Sequence, residues 1–428
     1  MVPRRARFLW YPGPHQEPVP AILAEWLRTN SGDQGAAPIA LIAERSTQWA
    51  DAPVPARSER FAAAIVTARL ESGTATLASS VGADDVIVLG EEPAMISARL
   101  RRLADTAILR AEVARRRRVA DLFAPPPRLG RRASDRRQPD RPAVLFVGNA
   151  GGDQLKAVDA LTGWSIAAYA ETPEHALRHW QTAAYHAVVV TGLRREGALQ
   201  SLFAQLAETM TPAWPSLVVL RPADADYAAS DAIAMGADDV IAVTDPQDLI
   251  HQRLARAIAD AELRTALRCH QGFDGAVDSV SGELGYSAFH AYVTDRLAVD
   301  DTPKSALVAI ELDGLDRLNL ERGFVGGDAA LRAVAGRLRS RVRAEDLLAR
   351  IGGAAFGLWV DHIQPEDLPR LALRLQDIVA RAHVRDGVEG LSARVGWALP
   401  YGMSLRNALT LSHEARAQAR RHGLRAVV

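Results

Sequence analysis

Residues 307–360 read LVAIELDGLDRLNLERGFVGGDAALRAVAGRLRSRVRAEDLLARIGGAAFGLWV, and the organisation of the rest of the chain follows from this stretch. Leu307 to Leu312 form an apolar run of strand length whose end carries the carboxylates Glu311 and Asp313. From Asp328 to Val342 apolar residues recur at helical spacing, and Ile351-Gly352-Gly353-Ala354-Ala355-Phe356 then reads as the turn of an apolar hairpin. Strand, helix and hairpin make one unit with its polar groups at one end.

The flanking residues extend the pattern. Upstream stands Asp278-Ser279-Val280-Ser281-Gly282 with Phe289; downstream stands Ala417-Gln418-Ala419-Arg420 with Gly423. In this order the segments resemble the GGDEF domain of diguanylate cyclases over roughly residues 275–428, with the signature loop altered to Gly352-Gly353-Ala354-Ala355-Phe356. The resemblance places Asn319 and Asp328 where the family contacts guanine. A cyclase of this kind joins two GTP molecules through metal ions held by carboxylates on the first strand and on the signature hairpin. Here Glu311 and Asp313 remain, but Ala354 and Ala355 supply neither charge nor oxygen, and a divalent ion on one carboxylate keeps most of its water. Asp316 occupies a position usually basic, and Leu424 falls in the final loop. The expectation is a catalytically inactive domain with no bound metal. Gly352 and Gly353 are expected to serve the tight hairpin turn, whatever its function.

Arg343-Ala344-Glu345-Asp346 precedes the hairpin and resembles the R-x-x-D motif at which such domains bind cyclic di-GMP. A flat guanidinium can stack on guanine and donate paired hydrogen bonds, while a carboxylate accepts from the guanine N1 and N2 hydrogens. Arg374, on the amphipathic segment Leu368 to Ala380, lies where the family supplies a second arginine.

Ahead of this domain the chain repeats itself. Gly82-Ala83-Asp84-Asp85-Val86-Ile87 recurs as Gly236-Ala237-Asp238-Asp239-Val240-Ile241, 236 − 82 = 154 positions later, each copy leading into a long amphipathic helix (Met95 to Arg118; Leu249 to Arg268). Alternating strands and helices predict two parallel-sheet α/β domains with their chemistry at the carboxyl ends of the strands. Both resemble the receiver domains of response regulators, and the three-domain order resembles the PleD-like family. Neither copy keeps the phosphorylation set that the resemblance implies. In the second, Gly148 and Asn149 follow the first strand, Thr191 stands at the acceptor position, Arg221 at the threonine and Asp245 at the lysine. In the first, Tyr11 and Pro12 follow the first strand, Glu44 is the candidate acceptor, Thr67 fits the threonine, and Glu92 replaces the lysine. The apolar excess on the long helices predicts that some of that surface meets a partner, and the receiver resemblance implies a homodimer through the last strand and last two helices.

At 428 residues, 48% hydrophobic and with no net charge, the chain can fill two to three ordinary cores and lacks the basic excess of a nucleic-acid binder. No apolar run approaches bilayer length, so a cytoplasmic protein without membrane insertion is expected. A single cysteine, Cys269, excludes an internal disulfide and reads as a small buried residue on a helix. Arg115 to Arg118, then Arg128, Arg131, Arg132, Arg136 and Arg137, surround Pro125-Pro126-Pro127 and read as a solvated connector, without the aromatic residues that base stacking needs.

The sequence therefore predicts residues 1–120 as an eroded receiver-like domain, 121–141 as a linker, 142–270 as a degenerate receiver and 271–428 as a degenerate GGDEF domain. The resemblance implies a cyclic di-GMP receptor or scaffold that recruits protein partners, in cell-cycle control and regulated proteolysis at a cell pole. A weak cyclase or GTP-binding regulator, and a ligand-independent dimeric scaffold, are the alternatives.

Overall fold

The computed structural model describes residues 7–11, 18–30, 38–43, 62–70, 73–123, 141–148, 151–209, 215–270, 272–273, 275–299, 305–382, 391–400, 410 and 426–427. Glu44, Asn149, most of the 121–141 connector, Ala417 to Arg420, Gly423 and Leu424 lie outside the described residues. The chain divides into two compact units, one of Pro3–Ala111 with Gly130–Thr265 and one of Glu112–Leu129 with Ala266–Val428.

The first unit contains both copies of the repeat. Its first sheet comes from β1 (Arg7–Tyr11), α1 (Ala21–Asn30), β2 (Pro38–Ala43), β3 (Ala62–Thr67), α2 (Thr74–Ser80), β4 (Asp85–Val88) and α3 (Pro93–Ala120). The strands are parallel in the order β1-β2-β3-β4. The second sheet comes from β5 (Ala143–Gly148), α4 (Gly152–Ala160), β6 (Ile166–Ala170), α5 (Pro173–Thr182), β7 (Ala187–Thr191), α6 (Glu196–Thr209), β8 (Ser216–Arg221), α7 (Ala229–Met235), β9 (Asp239–Ala242) and α8 (Gln247–Arg268). Its order, β6-β5-β7-β8-β9, is the 2-1-3-4-5 arrangement of doubly wound sheets. The first sheet has the same arrangement without the edge strand, among the described residues. Strands such as Ala62–Thr67 and Ala187–Thr191 are buried along their whole length, as parallel strands covered on both faces must be.

The two copies pack on each other about an approximate two-fold relation. Met95 belongs to the core of the second sheet, and its repeat equivalent Leu249 (249 − 95 = 154) belongs to the core of the first. Asp85 and Asp239 are 0% and 2% exposed, and each meets arginines from the other copy's long helix. Arg99 Nη1 and Arg102 Nη1 lie 3.1 and 2.8 Å from Asp239, while Arg256 and Arg253 reach Asp85. Asp260 accepts from the Thr106 hydroxyl at 2.8 Å and pairs with Arg102. At the rim Ser230 donates to Glu92, and its equivalent Thr76 donates to Asp248.

This packing corrects the expected homodimer surface. The last strands and long helices do carry more apolar surface than one sheet needs, but the surplus is covered by the other copy within one chain. Two smaller expectations also change. Arg116 is buried and Arg115 pairs with Asp295, so the end of α3 is no solvated connector. Cys269 is exposed in the turn after α8.

In the second unit β10 (Leu284–Gly285), α9 (Tyr286–Val299), β11 (Ala306–Asp313), α10 (Leu315–Arg341), β12 (Leu347–Arg350), β13 (Ala355–Val360), α11 (Leu368–Ala380), β14 (Ser392–Ala398) and β15 (Ala426–Val427) build one sheet, ordered β10-β12-β13-β11-β14-β15. β11 is central and antiparallel to both neighbours. Helices α10 and α11 cover one face through Leu331, Val334, Leu338, Leu371 and Leu375. On the other face α9 packs Phe289, Tyr292 and Val293 with Trp359 and with Val119 and Ala120 of α3.

Candidate functional site

The sheet register gathers the polar groups at one end of β11. Glu311 sits opposite Ala355 on β13 and opposite Arg394 on β14, and Asp313 ends the strand. Arg394 reaches both carboxylates, with Nη2 at 3.2 Å from Glu311 Oε2 and in a short ion pair with Asp313 Oδ1. A side-chain cation thus lies between the two acids at the end of β11. Among the described residues no group of three or more histidine, cysteine, aspartate or glutamate side chains is placed to hold a metal ion.

The hairpin closes as the sequence predicts, with the Ile351 and Gly352 amides donating to the Ala355 carbonyl at 2.9 and 3.3 Å. Its glycines are not there for the turn. Neither has a left-handed φ, a Cβ on Gly352 would make an ordinary 3.6 Å contact, and one on Gly353 would meet open space. Arg350 holds the loop from beneath, donating to the Gly353 carbonyl at 2.8 Å and pairing with Asp278 at 3.1 Å. Asp278 also accepts from the amide and hydroxyl of Ser281, both at 2.8 Å. Burial raises the Asp278 pKa, but these hydrogen bonds and Arg350 outweigh it and hold the carboxyl below its usual range.

Asn319 and Asp328 are brought together by a break that periodicity did not reveal. Helix α10 begins at Leu315, well before the expected start, and is interrupted at Gly323 (φ 69, ψ 175). Only glycine adopts that conformation without strain. The chain kinks at this break, and a Cβ at Gly327 would lie 1.8 Å from Asn319 Oδ1. The Asn319 amide therefore rests on the Gly327 backbone, next to Asp328.

Arg343 and Asp346 bracket the turn after α10. Asp346 is 7% exposed; its Oδ2 accepts from the Arg343 amide at 3.1 Å, and its Oδ1 is buried without a hydrogen-bond partner. Arg343 is half-buried. Arg374 is exposed on α11, and no described contact joins it to either residue. Two residues that sequence reasoning missed carry the turn. Arg116 Nη2 donates to the carbonyls of Ala344, Glu345 and Asp346 at 3.3, 3.1 and 3.0 Å, and Arg268 Nη1 donates to the Arg339 carbonyl at 3.0 Å.

Burial, followed by repulsion from Glu345, raises the Asp346 pKa to about 7. In the unfolded chain the group titrates near ~4, so between these values the folded state holds a proton that the unfolded state has released. Stability on this account falls as pH rises from about 4 to about 7. Asp346→Asn, which keeps an acceptor for the Arg343 amide, is expected to match the parent near pH 4 and to melt roughly 5 °C above it at pH 8. Thermal unfolding at the two pH values checks this; a constant difference would show that Asp346 ionises normally.

A family model described as "Diguanylate cyclase, GGDEF domain" matches residues 278–425. The bifunctional diguanylate cyclase/cyclic di-GMP phosphodiesterase MucR of Pseudomonas aeruginosa is 33% identical over 120 residues, 28% of this chain and 18% of that protein. The probable diguanylate cyclase DgcE of Escherichia coli is 38% identical over 80 residues, 19% of this chain and 7% of that one. The chain thus spans less than a fifth of either relative. Among solved structures, the GGDEF domain of FimX from Pseudomonas aeruginosa aligns at 24% identity over 35% of this chain and 96% of its own, with a TM-score of 0.32. The coiled coil and GGDEF domain of DgcB from Caulobacter crescentus, in complex with c-di-GMP, aligns at 21% identity over 41% and 96%, with a TM-score of 0.34. No described helix is long and apolar enough to cross a membrane. By sequence match residues 278–425 form a GGDEF domain, and two parallel-sheet α/β domains precede it.

Proposed function

We propose that the chain is a receptor for cyclic di-GMP that acts through protein partners and makes no cyclic di-GMP itself. The observation that carries the reading is the Arg343–Asp346 turn, where the buried Asp346 carboxyl accepts from the backbone amide of the half-buried Arg343 and keeps one unpartnered oxygen. Guanine N1 and N2 hydrogens are the donors that such an oxygen lacks, and a guanidinium can stack on the base or bind a phosphate. Arg374 is the candidate second arginine and would have to reach the ligand from α11.

Loss of turnover is supported by the other end of the domain. Ala354 and Ala355 offer no ligand oxygen in their side chains, and Arg394 already pairs with both Glu311 and Asp313. A divalent ion would have to displace that guanidinium or share its carboxylates with it, at the cost of cation–cation repulsion. The residues present do not fit a catalytic metal. The second parallel-sheet domain fits a receiver that works without phosphate, because β5 and β7 end in Gly148 and Thr191, neither of which offers a carboxylate to bind magnesium or accept phosphate.

Calorimetric titration of the full-length protein with cyclic di-GMP tests the reading. Saturable binding is expected, weakened tenfold or more in Arg343→Ala, since removing one partner of a charge-assisted contact costs on the order of 2–5 kcal/mol. Incubation with GTP and magnesium is expected to yield no product. An Arg343→Ala variant that titrates like the parent would refute the site, and product formation proportional to protein would refute the inactivity.

A further inference from the structure

At the carboxyl edge of the second parallel sheet lies a cavity of about 350 Å³ that the proposed function does not use. Its walls come from the end of β5 (Gly148), the first turns of α4 (Gly152, Gln154 and Leu155) and the end of β6 (Tyr169, with Glu171 beyond it). The volume falls at the lower end of the range for small-molecule sites.

Three features there are unexplained by folding alone. Gln154 is 4% exposed, yet its side-chain Oε1 has no hydrogen-bond partner. A buried amide oxygen without a donor is destabilising by roughly 1–3 kcal/mol, and a ligand N–H would remove that cost. Leu155 and Tyr169 are 62% and 46% exposed, so an apolar surface stands open beside the amide, with the Tyr169 ring stacked on Phe146 at 5.7 Å. Glu171 is exposed at the mouth, 171 − 151 = 20 positions after the glycine that precedes α4.

In dinucleotide-binding doubly wound sheets an acid at the end of the second strand, about 20 residues after the glycine turn, accepts from ribose hydroxyls; this sheet has the 2-1-3-4-5 order, and the same glycine-to-acid spacing stands here beside β5 and β6. The charges here argue against a phosphate on that ligand. Asp153 lies in the first turn of α4, where it offsets the positive helix end, and Glu171 adds a second carboxylate. Arg194, the nearby cation, is directed to Asp224 at 2.8 Å and to Asp153 at 4.0 Å.

We propose that this cavity binds a neutral purine nucleoside. The base lies against Leu155 and Tyr169, an N–H on the base donates to Gln154 Oε1, and ribose hydroxyls donate to Glu171. The site is separate from the GGDEF domain and does not depend on the reading of it.

The test is titration of the full-length protein with adenosine, by calorimetry and saturation-transfer NMR, beside AMP as the charged counterpart. Saturable adenosine binding is expected, with AMP and the Gln154→Leu variant each at least tenfold weaker. Leu155→Arg changes a residue that is already exposed, so folding is not at stake, and it should abolish binding by filling the cavity. Asn319→Ala, in the GGDEF domain, should leave adenosine binding unchanged. Absence of saturable binding, binding that survives Leu155→Arg, loss of binding in Asn319→Ala, or AMP binding as tightly as adenosine would each overturn the proposal.

Discussion

Asp239→Ala is expected to lower the stability of the tandem α/β unit by about 3–5 kcal/mol, the range for breaking a buried ion pair by removing one partner. The variant would leave Arg99 and Arg102 buried beside a cavity, each having lost a contact of 3.1 or 2.8 Å. Burial alone would raise the Asp239 pKa, but Arg99, Arg102, Arg253 and Arg256 outweigh it and hold the carboxyl below its usual range. A depressed carboxylate contributes stability that is present above the unfolded value near ~4 and is lost as pH falls through the lower folded value. The parent should therefore weaken in acid more steeply than the variant. Denaturant unfolding at pH 7 and at pH 3 measures both effects. A loss under 1 kcal/mol at pH 7 would mean that the two copies do not depend on this charge cluster. The same cluster explains why the repeat carries consecutive aspartates. Asp84 and Asp238 accept from the backbone amides of Ala63 and Leu217, while Asp85 and Asp239 meet the arginines of the other copy.

That cluster also marks where sequence reading runs out. The repeat, the parallel strands and the long helices were legible because each is written in a local pattern, the alternation of apolar runs and the recurrence at 154 positions. Which surface the long helices meet was not, because an apolar stripe is identical whether it faces a second chain or an earlier domain of its own. In the GGDEF domain, Glu311, Asp313, Arg343 and Asp346 could be placed by their order along the chain. Arg394 could not, since its meeting with Glu311 depends on the antiparallel register of β11 and β14, fixed by residues far apart in sequence. The break at Gly323 was hidden for a different reason. Helical spacing resumes after it, so the apolar pattern alone shows one later helix rather than two joined at a kink. Arg116 was misread because four consecutive arginines look solvated, and only the packing of α3 selects which of them turns inward.

Arg116→Ala is expected to have the largest effect on the Arg343–Asp346 turn proposed to bind cyclic di-GMP, although Arg116 need not touch the ligand. One guanidinium there satisfies the Glu112 carboxylate at 2.6 Å, the Leu267 carbonyl at 2.8 Å and three successive carbonyls of the turn from Ala344 to Asp346. A planar fork of five donors can do this and an ammonium cannot, so Arg116→Lys should recover only part of the loss. Removing the side chain leaves the buried Glu112 with Tyr292 Oη donating at 2.8 Å and with Arg115 paired at 3.7 Å. The expected cost is again about 3–5 kcal/mol, a fall of roughly 10 °C in the melting of the GGDEF unit. The positioning role predicts something that lost stability alone does not. At a temperature where the variant is still folded, cyclic di-GMP affinity should drop at least tenfold, because Arg343 and Asp346 are carried on the released turn. Arg116→Lys should lie between parent and alanine variant in both affinity and melting temperature. If folded Arg116→Ala binds as the parent does, the turn holds its shape without the arginine, and the ligand residues are positioned by α10 and β12 alone.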